Sequence, residues 1–243
     1  MQIAVLSDFH LGAKDHLDRF GRDREAESRV LKLFDELERS VDRIVLLGDI
    51  FETLRGRQLG RRGMHHELSS ALTAYPSIAR RALDHKKYQL VLGNHDAILD
   101  ETHRVPELFR IEADKMKLLF FHGHQLDPIA RGEAPLSRFS VWLGGWLERI
   151  GLGITKVADK FEGKILRDGH GIDPGRFERG AVAMGEADGA DVVITGHTHR
   201  AARAEISGTL YMNSGTCVGG RREMLLLDTG AKRFEVIETN EPT

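Results

Sequence analysis

An α/β fold of two packed β-sheets flanked by helices is what this sequence predicts, and three features of its patterning carry the prediction. The first is a recurrent short apolar run that ends in polar residues: IAVLS at 3–7, RIVLLGD at 43–49, YQLVLGNHD at 88–96, KLLFFHG at 117–123 and DVVITGH at 191–197. Runs of this length, apolar on both faces, mark buried strands. The second is helical spacing between the first three runs, at 24–40 and 66–85, giving a β-α-β-α-β order and so at least a partly parallel sheet. The third is a change of texture after Gly196. There ARAEI, TLYMN, EMLLLD and RFEVIE stand close together between Gly-containing turns and predict antiparallel hairpins.

The stretch 127–189 breaks this rhythm and shows no convincing strand, so a helical insertion is expected there, within one domain spanning 1–243. Its first part sets Phe139, Trp142, Leu143, Trp146, Leu147 and Ile150 on one helical face. A second part, 154–165, has Val157, Ala158, Phe161 and Ile165 on one face, with Lys156, Lys160 and Lys164 on another. The Trp-bearing face can pack on the sheets, line a greasy substrate pocket or rest on a bilayer. The lysine face can meet solvent or phosphate.

At 243 residues, 41% hydrophobic and 30% charged, the composition is that of a folded globular chain and excludes disordered, collagen-like and coiled-coil classes. A net charge of -2 gives no overall field for nucleic acid or anionic lipid, so no stable nucleic-acid partner is expected. The single cysteine, Cys217, cannot form an intrachain disulfide, which fits a reducing compartment. The N-terminus has only a four-residue apolar run, Ile3 to Leu6, and lacks the basic flank of a signal peptide. The expectation is a cytoplasmic protein, with peripheral contact at the inner face of the membrane through the insertion as a further option.

The chemistry-bearing residues follow the apolar runs: Asp8-Phe9-His10, Gly48-Asp49, Gly93-Asn94-His95-Asp96, His122-Gly123-His124 and Gly196-His197-Thr198-His199. Groups at strand ends gather on one rim, where ligands bind in open α/β sheets. Each Asp-x-His or His-x-His pair has period-2 spacing, which in extended backbone would point both side chains one way. Carboxylate, imidazole and amide without thiolate suit a divalent ion such as Mn, Fe or Zn. Two such ions about 3.5–4 Å apart can clamp the attacking and leaving oxygens of a phosphoryl transfer. Asp49, standing alone after its strand, is the candidate to bridge them. A lone loop histidine is more often a surface residue than a ligand, but five such loops in one chain weigh heavily against accident.

In this order, DxH, GD, GNHD, HGH and GHTH resemble the signature of the calcineurin-like metallophosphoesterases, over positions 8 to 199. The resemblance implies a four-layer αββα sandwich of two mixed β-sheets. It implies that Asp8, His10 and His199 hold one metal, that Asn94, His122 and His197 hold the other, and that Asp49 bridges. It further implies that His95 contacts the phosphate and assists the leaving group. Asp96 would orient His95 by a hydrogen bond, or serve only as a turn residue. Three residues remain candidates for substrate contact beside Asn94. His124 could reach phosphate or shape its loop, and Arg55 and Arg57 could offer guanidinium forks or belong to a solvated loop.

The insertion between HGH and GHTH is similar to the lid of bacterial UDP-2,3-diacylglucosamine pyrophosphohydrolases, as are the chain length and the HGHQLD wording. Members of that branch carry Arg where this chain has His95, and HGD where it has HGH. The resemblance therefore implies a small-molecule or lipid-linked phosphoester substrate. A nucleotide or nucleic-acid phosphodiesterase stays open as an alternative; a non-catalytic scaffold would be expected to lack some of the ligands, and none is lacking here.

Overall fold

β1 (Gln2–Leu6), β2 (Arg43–Leu47) and β3 (Tyr88–Val91) are parallel neighbours, buried almost throughout. The computed structural model from which this is read describes residues 1–21, 25–55, 60–127, 174–218 and 221–238. The strands are apolar at successive positions because both faces are covered: β1 turns Ala4 and Leu6 toward the helices, and Ile3 and Val5 toward a second sheet. The connections are α1 (Ala26–Ser40) and the pair α2 (Arg61–Ala74) and α3 (Pro76–Asp84). The predicted helical segment at 66–85 is thus two helices. Pro76 has no N–H to extend the first ladder but fits the first turn of the next, while the Tyr75 N–H closes α2 on the Ala71 carbonyl.

β9 (Glu223–Asp228) runs antiparallel beside β1, and β10 (Arg233–Glu238) pairs with β9, completing the order β10-β9-β1-β2-β3. The second sheet contains β4 (Leu108–Ala113), β5 (Met116–Phe121), β6 (Val192–Thr195), β7 (Ala201–Ile206) and β8 (Thr209–Ser214), in the order β4-β5-β6-β8-β7. β5, β6 and β8 are parallel and the two edge strands antiparallel. The patterning did not predict β4. It is a half-exposed edge strand whose apolar run is interrupted by Arg110 and Glu112. The two late hairpins form as expected, but β8 and β9 belong to different sheets.

Three apolar layers follow. Val30, Phe34, Leu37 and Ile78 cover one face of the first sheet, and Ile3, Val5, Val45, Leu47 and Val91 meet Leu118, Phe120, Val192 and Ile194 between the sheets. On the far side, Phe177, Ala181 and Val182 of α5 (Pro174–Asp188) pack on Leu119, Phe121, Val193 and Tyr211. This is the αββα sandwich. The short α4 (Leu99–His103) follows β3. α5 occupies the C-terminal part of the 127–189 stretch as the sandwich's fourth layer. Residues 128–173, with the Trp-bearing and lysine faces, lie outside the described residues. Among the described residues no helix is long and apolar enough to cross a membrane.

Candidate metal centre

Beyond the ends of β1 and β2 the two chain segments stay side by side. The N–H groups of Asp8, His10 and Leu11 donate to the carbonyls of Gly48, Asp49 and Ile50 at 3.1, 3.0 and 2.9 Å, and the Glu52 N–H returns to Leu11 at 2.9 Å. The backbone here is not the extended form that period-2 spacing assumed. Asp8, His10 and Asp49 have φ of 55°, 51° and 53°, and His197 and His199 have 68° and 53°. Asp and His are among the side chains that enter this left-handed region most readily, at a cost of about 1–3 kcal/mol each. Left-handed turns, rather than strand alternation, bring the pairs to one centre.

Among the described residues three groups of candidate ligands result, each with its atoms mutually within 4.8 Å: Asp8, His10 and His199; Asp49, His122 and His197; and His10, Glu52 and His95. His199 Nε2 lies 3.1 Å from Asp8 Oδ1 and 3.4 Å from His10 Nε2. Asp49 Oδ2, in the group with His122, also approaches the group with Asp8, lying 3.8 Å from His10 Nε2 and 3.2 Å from His122 Nε2. Asp8 Oδ1, Asn94 Oδ1 and His122 Nε2 are buried without a hydrogen-bond partner. Buried polar atoms are rarely left so, and oxygen and imidazole donors facing one space are what a divalent cation requires. The residues present fit such an ion.

The atoms that do not face the centre are tied down. Asp8 Oδ2 accepts from the Ser7 hydroxyl and, at 3.1 Å, from the His197 N–H, while Ser7 Oγ also meets Ser214 Oγ at 2.7 Å. Asp49 Oδ1 accepts the His95 N–H at 2.8 Å. His122 Nδ1 lies 2.8 Å from the Leu47 carbonyl, which makes Nδ1 a donor and turns Nε2 toward the carboxylates, where a cation would take the place of its proton. The Phe177 ring of α5 stacks on His197, with centroids 6.3 Å apart. Gly48 is needed at its position, because a Cβ there would meet His122 Nδ1 at 2.5 Å and its φ is 83°.

His95 is held by a residue the sequence reading did not select. Its Nδ1 is 2.9 Å from both oxygens of Glu52, and Glu52 Oε2 is also 3.2 Å from His10 Nδ1. The expectation that Asp96 orients His95 is corrected. Asp96 is fully buried with its carboxylate on backbone, accepting from Gly93 N at 2.8 Å, Ile50 N at 2.8 Å and Phe51 N at 3.4 Å. It clamps the GNHD loop to the GD loop instead of touching the imidazole. The only sequence signal for Glu52 was a carboxylate three residues after Asp49 in the otherwise apolar GDIFE.

Charge runs through the centre in a consistent sense. Burial pushes the carboxyls up, yet His199 and His122 hold Asp8 down to about 2. Burial is likewise overcome at Asp49 by His122 and His95, and at Glu52 by His95 and His10, so both lie well below the usual carboxylate range. Against burial, Asp49 and Asp8 raise His122 to about 10, and Glu52 with Asp49 raises His95 to about 9. Burial and the His95 charge lower His10. Three ionised carboxylates in so small a volume are the electrostatic complement of a multivalent cation.

His124 lies beside the second group, 5.7 Å ring to ring from His122, and burial with the neighbouring His122 and His197 lowers it to about 4. The Arg55 side chain is 13% exposed with Nε 3.5 Å from Glu52 Oε2, next to the His95 pair. Arg57 lies outside the described residues. Asp127, which was not selected, reaches to 3.4 Å from His197 Nε2.

The chain is 26% identical over 178 residues to a UDP-2,3-diacylglucosamine hydrolase of Sodalis glossinidius (strain morsitans), covering 68% of this chain and 72% of that one. Among solved structures it is similar to a hypothetical protein of Pyrococcus horikoshii OT3, at 9% identity and a TM-score of 0.53 over 99% of this chain and 88% of that one. It also resembles Yfce, a phosphoesterase from E. coli, at 17% identity and a TM-score of 0.46 over 99% and 100% of the two chains. The calcineurin-like phosphoesterase family matches residues 1–201, and this chain belongs to it.

Proposed function

We propose that this protein hydrolyses a phosphodiester or pyrophosphate bond with two divalent ions, Asp8, His10 and His199 holding one, Asn94, His122 and His197 the other, and Asp49 bridging. The observation that carries the reading is the position of Asp49 Oδ2, 3.8 Å from His10 Nε2 of the Asp8 group and 3.2 Å from His122 Nε2 of its own. The ions, with Mn²⁺ the first to try, would supply positive charge to the phosphoryl oxygens and make an attacking water acidic.

The chain's own residues do the rest. With Nδ1–H donating to Glu52, a protonated His95 keeps Nε2–H available to hydrogen-bond a phosphoryl oxygen and to donate a proton to the leaving oxygen. Asp49 Oδ1 holds that segment through the His95 N–H, so the donor's backbone is fixed to a ligand. Arg55, beside Glu52, can hold a phosphate in a guanidinium fork. His124, kept neutral, offers a hydrogen bond without adding charge.

For the substrate, the relative from Sodalis glossinidius, a UDP-2,3-diacylglucosamine hydrolase, supports UDP-2,3-diacylglucosamine; its cleavage by this protein would give UMP and a lipid monophosphate. His95, where that branch carries Arg, favours the alternative of a nucleotide or other phosphodiester. The test is UMP release from UDP-2,3-diacylglucosamine by the purified protein with Mn²⁺, with an aryl phosphodiester in parallel. Rapid, metal-requiring UMP release supports the lipid substrate. Turnover of the aryl diester alone discards it and retains the chemistry, while failure on both substrates overturns the reading.

A further inference from the structure

The family match ends at residue 201, yet a buried segment beyond it, Asn213 to Cys217 at the end of β8, takes hold of two of the ligand-bearing loops. Asn213 Nδ2 donates to the Gly196 carbonyl at 2.7 Å and to Thr198 Oγ1 at 3.2 Å, one on either side of His197. Thr216 Oγ1 and the Cys217 N–H both donate to the Asp8 carbonyl, at 3.0 and 3.2 Å. Ser214 Oγ is 2.7 Å from Ser7 Oγ, whose own proton goes to Asp8 Oδ2, so Ser214 is the donor of that pair. Asp8 is thus held at its carbonyl and, through Ser7, at the carboxylate oxygen that turns away from the centre.

The segment is itself rigidly placed. Asn213 Oδ1 accepts the Gly215 N–H at 3.0 Å, and the Thr216 N–H donates to Glu223 Oε2 at 3.1 Å while the Glu223 N–H returns to the Thr216 carbonyl at 3.2 Å. Gly215 is required in this turn, since its φ is 75° and a Cβ there would collide with Glu223.

We propose that the Asn213–Cys217 loop is a positioning element of the metal centre: Ser214 and Thr216 fix Asp8, Asn213 fixes the GHTH loop, and one loop thereby sets the spacing of ligands that come from different sheets. The inference rests on the proposed function for which ions the ligands hold, and on the geometry alone for the hold on the ligands. Asp8, His197 and His199 all have left-handed backbones, a conformation that persists only where the surroundings impose it. Asp8 Oδ1 and His199 Nε2, 3.1 Å apart, belong to loops of the two sheets, and this segment bonds to both loops. Partners that orient a ligating carboxylate govern how well it holds its ion.

The experiment titrates the metal-free protein with Mn²⁺ in a calorimeter and measures urea unfolding alongside, for the wild type, T216V, T216S and N213A. T216V keeps the branched shape and drops the hydroxyl on the Asp8 carbonyl; T216S keeps the hydroxyl. The expected result is two ions for the wild type and T216S, and for T216V a fall of about 10–100-fold in one of the two affinities with the other little changed. N213A frees a loop that supplies a ligand to each ion and weakens both. Wild-type affinities in T216V, whatever its urea midpoint, overturn the proposal, as do a T216S that loses as much as T216V and an N213A that binds both ions like the wild type. If T216V does not fold, S214A is measured in its place, and wild-type affinities for it overturn the proposal equally. A wild type that takes up one ion refutes the proposed function instead, and N213A, which bears on either ion, still tests the loop; a wild type that takes up none overturns both.

Discussion

Replacing Asp96 separates a backbone clamp from a catalytic partner. Its carboxylate is 0% exposed and accepts from Gly93 N and Ile50 N at 2.8 Å each, with Phe51 N farther away at 3.4 Å. In D96A two well-formed acceptors vanish and two buried N–H groups lose their partner. At about 1–3 kcal/mol for each orphaned group, the expected loss of stability is about 4 kcal/mol. In D96N one oxygen remains, but the NH₂ opposes an N–H. The wild-type charge also carries a penalty, since burial and the nearby Asp49 push the Asp96 carboxyl up to about 6, and removing that charge offsets part of the loss. About 2 kcal/mol is expected for D96N. Urea unfolding gives both values, and kcat of the folded fraction, measured on the aryl diester, should fall less than stability implies. A D96A protein within about 0.5 kcal/mol of wild type whose kcat nevertheless falls steeply would refute the clamp and return Asp96 to His95.

Three further outcomes are expected. G48A, which places a methyl 2.5 Å from His122 Nδ1 at a φ of 83°, should lose Mn²⁺ affinity and at least about 1 kcal/mol of stability by thermal melting. Dialysis against a chelator should abolish turnover and lower Tm, and Mn²⁺ at 100 times its Kd should restore about 2.7 kcal/mol; in D49N the restoration should shrink, as calorimetry with and without metal would report. Away from the centre, Glu38 is held below its ordinary 4.5: burial opposes this, but the Tyr88 hydroxyl at 2.8 Å and Arg81 Nε at 2.7 Å prevail. A depressed carboxyl contributes stability above pH 4.5 and loses it as pH falls through the folded value. The difference in urea midpoint between wild type and E38Q should therefore narrow on acidification below 4.5.

What the sequence disclosed and what it withheld divide along physical lines. β1, β2 and β3 were legible because strands covered on both faces carry runs of adjacent apolar residues, and polar residues at their ends mark where the cover stops. β4 was not, since an edge strand half in water carries Arg110 and Glu112 without penalty. Pro76 was visible, but the helical spacing runs through it in two helices of similar phase. The candidate ligands announced themselves by type, as histidines and aspartates closing apolar runs. Glu52 did not, because the partners that give it meaning lie at positions 10 and 95, and Ile50 and Phe51 disguise it as a continuation of the strand. Asp96 hid its task differently, since an acceptor for backbone amides has no side-chain partner for a pattern to reveal.

The division of the candidate ligands between the sheets bears on the order in which the molecule assembles. Asp8, His10, Asp49 and Asn94 follow strands of the first sheet, and His122, His197 and His199 follow strands of the second. The pairing of Gln2 with Asp228 closes β1 against β9 only after the chain has returned from the second sheet. Contacts of such separation form late, because the loop entropy they require is large. High-affinity metal capture should therefore be a terminal event of folding, and in stopped-flow refolding the appearance of tight Mn²⁺ binding should lag the recovery of far-UV signal. By the same reasoning a chain truncated after β5 would keep the carboxylates and lose His122, His197 and His199, and its affinity for Mn²⁺ should be low.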